Sequence, residues 1–181
     1  MKSKHYLTFA AAAFFTLPAL AAPVSVSDGA LGFAVNFPEA PKKEAAEPCD
    51  GIDGCTFTRW EISRFDREKE DCSFKVTVGQ FGFPADGQFD NPVGLLNYTV
   101  ESTLREDTEI LSESDLSSGR VFGREVLANS SYDYFGPAPA LTRQHLKVLI
   151  RGNKLYIAEA ECDRNAPAAE ARAFLSSFRL Y

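Results

Sequence analysis

The stretch LTRQHLKVLIRGNKLYIAEAEC, residues 141–162, decides the fold. Apolar and polar residues alternate along its first half, which is the two-residue period of a β-strand. Gly152-Asn153 divides the stretch, and such a dipeptide between two strand-like runs predicts a two-residue hairpin turn. We therefore expect two long antiparallel strands, 141–151 and 154–162, with His145 on the more polar face of the first.

Segments on either side extend this sheet. Strands are predicted at residues 32–37, 55–65, 73–81, 109–115 and 121–128, and the second and third of these should form a hairpin. Residues 22–30 are expected to be a poorly specified lead-in, and residues 38–48 a loop or edge segment.

Two helices complete the prediction. Asn91-Pro92 is an N-cap followed by proline and predicts a helix over 92–106, and Asn165 with Pro167 begins a second helix near the end of the chain. Strands outnumber helices and most connections are hairpins. We therefore expect an α+β fold, in which a mainly antiparallel sheet has helices packed against it.

Residues 1–21 have the pattern of a secretory signal. Lys2 and Lys4 precede an apolar run that ends in small residues, so we expect cleavage after Ala21. The apolar run is too short to span a bilayer, and Pro18 interrupts it. The prediction is a periplasmic or secreted, soluble and monomeric protein, with residues 22–181 as a single domain and no membrane span.

The charge of the chain argues against some partners. Removal of residues 1–21 takes away two lysines and no acid, so the net charge falls from -6 to -8. An acidic protein repels phosphate backbones and anionic headgroups. We therefore expect neither a nucleic-acid partner nor an anionic membrane surface.

Four cysteines remain after signal removal, and an even number in an exported protein favours disulfides. Three pairings are possible. Cys49 and Cys55 enclose a turn-rich loop that is easy to close, whereas Cys55 and Cys72 begin the two strands of one hairpin and so lie at opposite ends. The preferred pairing is Cys49 with Cys55 and Cys72 with Cys162. Zinc is disfavoured because there is no Cys-x-x-Cys pair and His145 is the only histidine after residue 21, so we expect no metal and no cofactor.

His145 is the one candidate for catalysis. A general base needs a nucleophile or an orienting carboxylate beside it, and no nucleophile motif accompanies this histidine. Its neighbours Arg143 and Lys147 make it more typical of an exposed strand histidine in a basic patch. We therefore assign no catalytic residue.

Aromatic residues in two loops are the candidates for binding. Phe83 and Phe89 lie among glycines and prolines, and Tyr132, Tyr134 and Phe135 precede Gly136-Pro137. Such side chains offer contact area to a protein partner or to a small apolar ligand. The alternative is that they fold back and close the core.

Two ends of the chain resemble a known family. GFAVNFPEAP at 32–41, RGNKLY at 151–156 and FLSSFRL at 174–180 are similar to segments of uncharacterised exported bacterial proteins, whose fold resembles the photosystem extrinsic subunit PsbP. The resemblance covers about a third of the chain. It implies a PsbP-like α-β-α sandwich and an exported, non-catalytic protein, and it transfers no catalytic residue.

The leading hypothesis is therefore a non-enzymatic binding or accessory protein of the bacterial envelope, of unknown partner or ligand. One alternative is a small periplasmic hydrolase or isomerase that uses His145. The other is a structural or assembly component.

Overall fold

The computed structural model describes residues 22–64, 71–104, 107–132, 140–166 and 168–181, without the side chains of 131, 132 and 140. The predicted signal segment, residues 1–21, lies outside them. The elements, in chain order, are β1 (Val24–Asp28), β2 (Phe33–Phe37), β3 (Lys42–Lys43), β4 (Glu47–Pro48), β5 (Thr56–Ile62), β6 (Cys72–Gln80), α1 (Pro92–Thr103), β7 (Thr108–Asp115), β8 (Val121–Tyr132), β9 (Ala140–Arg151), β10 (Lys154–Asp163), α2 (Ala168–Ser177) and β11 (Arg179–Leu180).

The largest part of the described fold is one antiparallel sheet of eight strands. Its strands follow the order β3-β5-β6-β10-β9-β8-β7, and β4 also pairs with β5. The predicted hairpin of β9 and β10 lies at its centre, turning at Gly152 with a φ of 57°. A second sheet has the order β1-β2-β11. The core hairpin was therefore predicted, whereas β1 and β11 were not.

The predicted fold class is wrong. The protein is mostly antiparallel β-sheet, with only two short helices in its described part, and it is not an α+β or PsbP-like sandwich. One physical reason lies in residues 22–30, predicted as a lead-in, and residues 38–48, predicted as a loop or edge segment, which pair as the short strands β1, β3 and β4. Strands of two to five residues are too short to show a two-residue period in the sequence.

The larger part of the core lies between the two sheets and α2. Phe33 of β2 meets Trp60 of β5 edge to face at 4.9 Å between ring centroids, and Phe174 of α2 meets Phe74 of β6 at 5.2 Å. Each of these rings is almost fully buried. Full burial of one such side chain contributes about 1.5–3 kcal/mol, so this aromatic contact surface fixes both the small sheet and α2.

The second part of the core lies on the opposite face, under α1. Leu96 and Val100 of α1 pack with Leu146 and Val148 of β9. The helix begins as predicted: the side chain of Asn91 accepts a hydrogen bond from the Gly94 amide at 2.8 Å. Each helix thus contacts one face of the large sheet and covers only part of it.

The predicted disulfide pairing is confirmed. Cys49 is bonded to Cys55, and Cys72 is bonded to Cys162. In the register of the sheet, Cys162 of β10 lies directly opposite Cys72 of β6. The second disulfide therefore joins two neighbouring central strands that are 90 residues apart in sequence.

Candidate functional site

His145 is buried, which corrects the expectation of an exposed histidine. It points to the face of β9 that carries α2, and only 7% of its surface is exposed. Strand alternation correctly placed it with Arg143 and Lys147 on one face. The alternation could not show that α2 covers part of that face.

Two positively charged side chains lie near the imidazole of His145. Arg143 comes from β9, two residues away, and Arg172 comes from the exposed side of α2. Burial lowers the pKa of His145 below its usual 6.5, and the charges of Arg143 and Arg172 lower it further, against a smaller opposing effect of Glu125. The imidazole is therefore neutral at pH 7, and the charge of the site comes from the two guanidinium groups.

Lys147 is the fourth basic residue on this face, and it is already engaged. Its Nζ atom pairs with Glu125 of β8 at 3.2 Å and donates a hydrogen bond to the carbonyl of Leu175 at 2.8 Å. Lys147 therefore anchors the last turns of α2 to the sheet. It leaves Arg143 and Arg172 as the cations available to a ligand.

Two nitrogen atoms in this cluster are buried without a hydrogen-bond partner in the described part of the chain. They are Nε2 of His145 and Nε of Arg143. A buried polar atom without a partner costs about 1–3 kcal/mol, so such atoms call for an explanation. We name the group formed by Arg143, His145 and Arg172 the cationic site. Sequence reasoning found its two β9 members but missed Arg172, because the predicted packing of a second helix on the sheet did not show which strand that helix covers.

The predicted aromatic site is divided by the structure. Phe83 and Phe89 meet edge to face at 4.9 Å, and Phe89 meets Phe81 in the same way at 4.8 Å. All three rings are half-buried, and Phe81 and Phe89 pack against the core under α1. The side chain of Asn153 donates hydrogen bonds to the carbonyls of Phe81 and Phe83, both at 2.9 Å. This geometry holds the loop against the β9–β10 turn, and binding by Phe83 and Phe89 stays a prediction.

The other aromatic candidates fall on the second loop. The backbone of Tyr132 ends β8 opposite Ala140, and its side chain is not described. Tyr134 and Phe135 lie outside the described residues. Their role in binding also stays a prediction.

A polar cavity of about 220 Å³ lies beside the β9–β10 turn. Its polar groups already have partners within the fold. The Tyr156 hydroxyl donates to the carbonyl of Leu31 at 2.8 Å, and the Lys154 ammonium donates to that of Ala30 at the same distance. Burial raises the pKa of Tyr156 to about 12, so its hydroxyl remains a donor. These contacts hold the segment before β2 against β10 and explain the cavity as structural.

A buried polar network lies on the opposite face of the sheet. The Gln144 amide donates to the Glu159 carboxylate at 2.7 Å and to the carbonyl of Thr103 at 3.2 Å, and Lys75 pairs with Glu159. Gln144 and Glu159 are both more than nine-tenths buried. Buried charges persist when they are paired and hydrogen-bonded. The network thereby ties the end of α1 to β9, β10 and β6.

The described residues contain no group of three or more His, Cys, Asp or Glu side chains placed to hold a metal ion. In the same part of the chain, neither helix has the length and apolar character needed to cross a membrane. The two disulfides fit a protein of an oxidising, non-cytoplasmic compartment.

Comparison with known proteins adds little to this description. No protein-family model and no curated protein sequence matches the chain. A crystal structure from Bacteroides thetaiotaomicron VPI-5482, determined at 1.50 Å resolution, is similar with a TM-score of 0.41 and 14% sequence identity. The match covers 86% of this chain and 47% of that one, so this chain spans about half the length of the Bacteroides protein.

Proposed function

We propose that this chain is an exported, non-enzymatic binding protein of the bacterial envelope, which holds an anionic ligand at the cationic site. The observation that carries the proposal is the pair of buried, unpartnered nitrogen atoms of Arg143 and His145, beside the exposed guanidinium of Arg172. A carboxylate or phosphate group of the ligand would accept hydrogen bonds from the guanidinium groups, and from the imidazole in the tautomer that carries its proton on Nε2.

The charge balance of the site supports an anion. Lys147 is paired with Glu125, so the local acid is already neutralised. Arg143 and Arg172 have no ion pair within the described residues, although the chain as a whole is acidic. Two uncompensated guanidinium groups beside a buried donor raise the local concentration of anions against that negative background.

The site has fewer features of a catalytic centre. Nucleophilic catalysis needs a hydroxyl or thiol within hydrogen-bond reach of the base, and within the described residues Nε2 of His145 has no such partner. Glu125 acts on the charge of the imidazole but is engaged by Lys147. These contacts favour binding over the hydrolase or isomerase hypothesis.

Export is supported by the two disulfides and by the signal-like pattern of residues 1–21. A periplasmic location with cleavage after Ala21 belongs to the same proposal. Edman degradation of the protein from a bacterial envelope fraction would test it. A sequence that begins at Ala22 supports export, and an intact Met1 contradicts it.

Calorimetric titration with inorganic phosphate and with citrate tests the ligand class. Arg143→Gln and Arg172→Gln should each weaken binding of the better anion by about tenfold, because each removes a charge-assisted contact. The matched control is Arg120→Gln, which removes the same charge from an exposed turn away from the site. Equal affinity in all four proteins, or an equal loss in the control, would contradict the proposal.

A further inference from the structure

β7 is the outer strand of the large sheet and has an unoccupied edge. Among the described strands it pairs with β8 alone, so the N–H and C=O groups on its other side face outward. Every residue from Glu109 to Asp115 is exposed. Eight residues in extended conformation offer roughly 27 Å of edge, enough for an added strand.

Two large apolar side chains lie on this edge strand. Ile110 is 52% exposed and Leu111 is 44% exposed. The register of β7 on β8 shifts between Ile110 and Ser112, which places Leu111 at a bulge. Bulges and charges commonly protect an edge from uncontrolled pairing, but two adjacent exposed apolar residues work against such protection.

The charge of β7 selects among the partners that could use this edge. Glu109, Glu113 and Asp115 are its only charged residues, so the strand carries three acids and no base. A second copy of the chain would bring three carboxylates from each β7 together, which is repulsive. A segment with lysine or arginine at alternate positions would instead meet opposite charges across the new strand pair.

A cavity beside the edge has the lining that a long basic side chain needs. It has a volume of about 360 Å³, and Val93 and Leu96 of α1 form its apolar wall. Glu113 and Asp115 of β7 form its acidic wall, and Arg124 of β8 also lines the cavity. The apolar wall fits the methylene stem of lysine or arginine, and the acids fit its charged head.

The acids of this cavity outnumber its base. Arg124 pairs with Glu113 at 2.9 Å between Nε and Oε1. The Asp115 carboxylate accepts a hydrogen bond from the Ser117 amide at 2.8 Å, which holds it in position. The two carboxylates and the one guanidinium group therefore leave the cavity with one unbalanced negative charge.

From these observations we infer that β7 is a docking edge for an extended segment of a partner protein with basic residues at alternate positions. The segment adds to the large sheet as a further strand and places one lysine or arginine in the cavity under α1. Main-chain hydrogen bonds provide the affinity, and the acidic cavity provides the selectivity. This inference does not depend on the cationic site, which lies on the opposite face of the sheet.

The test uses two synthetic peptides and amide hydrogen exchange on the full chain. The first probe is an acetylated and amidated octapeptide that repeats Lys-Val-Lys-Thr, and the second has glutamate in place of each lysine. The basic peptide should slow exchange of amides in β7, and the acidic peptide should not. Protection confined to other strands, or equal protection by both peptides, would overturn the inference.

A pair of double variants tests the cavity. Glu113→Gln with Asp115→Asn should weaken binding of the basic peptide by about tenfold. The control is Asp86→Asn with Glu101→Gln, which removes the same charge from exposed positions elsewhere. An equal loss in the control would show that only net charge matters and would overturn the inference.

Exchange without peptide provides the last check. If protection of β7 rises with protein concentration, a second copy occupies the edge and the inference is wrong. If β7 exchanges at the same rate over a hundredfold range of concentration, the edge is free in the isolated chain, as the inference requires. Ile110→Lys offers a further variant: it adds a positive charge to the edge and should reduce capture of the basic peptide while the fold persists.

Discussion

Removal of the Cys72–Cys162 disulfide should destabilise the protein far more than removal of the Cys49–Cys55 disulfide. The first closes a loop of 90 residues and the second a loop of 6 residues. A cross-link restricts the unfolded chain, and the restriction grows with the logarithm of loop length. The chain-entropy relation gives about 4.6 kcal/mol for the long loop and about 2.2 kcal/mol for the short one.

The comparison is well matched because all four cysteines are buried, so both double variants lose similar packing. Cys72→Ala with Cys162→Ala should therefore be less stable than Cys49→Ala with Cys55→Ala by about 2 kcal/mol. Urea unfolding at pH 7 measures both, with the fluorescence of the single, buried Trp60 as the probe.

Equal losses, or a larger loss for the short loop, would refute the reasoning. Native contacts around each disulfide would then matter more than the entropy of the unfolded chain.

Two further predictions follow from local geometry. Gly152 and Gly119 both have positive φ, 57° and 60°, but a Cβ on Gly152 would lie within 2.3 Å of the Ala85 carbonyl oxygen, and Gly119 is open. Gly119→Ala should lower the free energy of unfolding by about 1 kcal/mol, and Gly152→Ala should lower it by at least about 1 kcal/mol more. Equal unfolding midpoints of the two variants would contradict this. The pKa of His145 is lower in the folded protein than in the unfolded chain. As the pH falls below about 6.5, the unfolded chain is therefore protonated first, and the free energy of unfolding decreases until the pH has passed the pKa of the folded protein. The His145→Gln variant should lack this loss, and identical stability profiles between pH 7.5 and 5 for both proteins would show the reasoning to be wrong.

The strands that could be predicted from sequence are those rich in apolar, β-branched and aromatic residues and bounded by turn residues. In β9 polar and apolar residues alternate through the first half, and the Gly152-Asn153 turn joins it to β10. The disulfide between Cys72 and Cys162 followed from the same register, because antiparallel pairing of β10 with β6 places these residues opposite each other.

The prediction of the fold class was wrong because some strands pair only with residues that are far away in sequence. β11 is only two residues long and pairs with Ala34 and Phe33 of β2. Such a strand has no period to detect, and its place is set by the docking of α2 before it. The helices were located correctly, but their share of the fold was overestimated, because the two helices together contain far fewer residues than the strands.

The candidate site could be predicted in part for a similar reason. Alternation placed Arg143, His145 and Lys147 on one face of β9. The burial of His145 and the approach of Arg172 depend on α2, which docks through Phe174 and Leu175. The sequence predicted that this helix packs against the sheet but not that it lies over His145, so the pattern indicated an exposed basic patch.

The pKa of His145 in solution, measured by NMR with and without inorganic phosphate, tests the central claim most directly. The proposal predicts a value below 6.5 in the free protein and an upward shift in phosphate, because an anion beside Arg143 and Arg172 favours the imidazolium. The shift should require about tenfold more phosphate in Arg172→Gln, whereas Arg120→Gln should need the same phosphate concentration as the unmodified protein. A His145 pKa that is the same with and without phosphate would contradict the assignment of the cationic site as an anion-binding site.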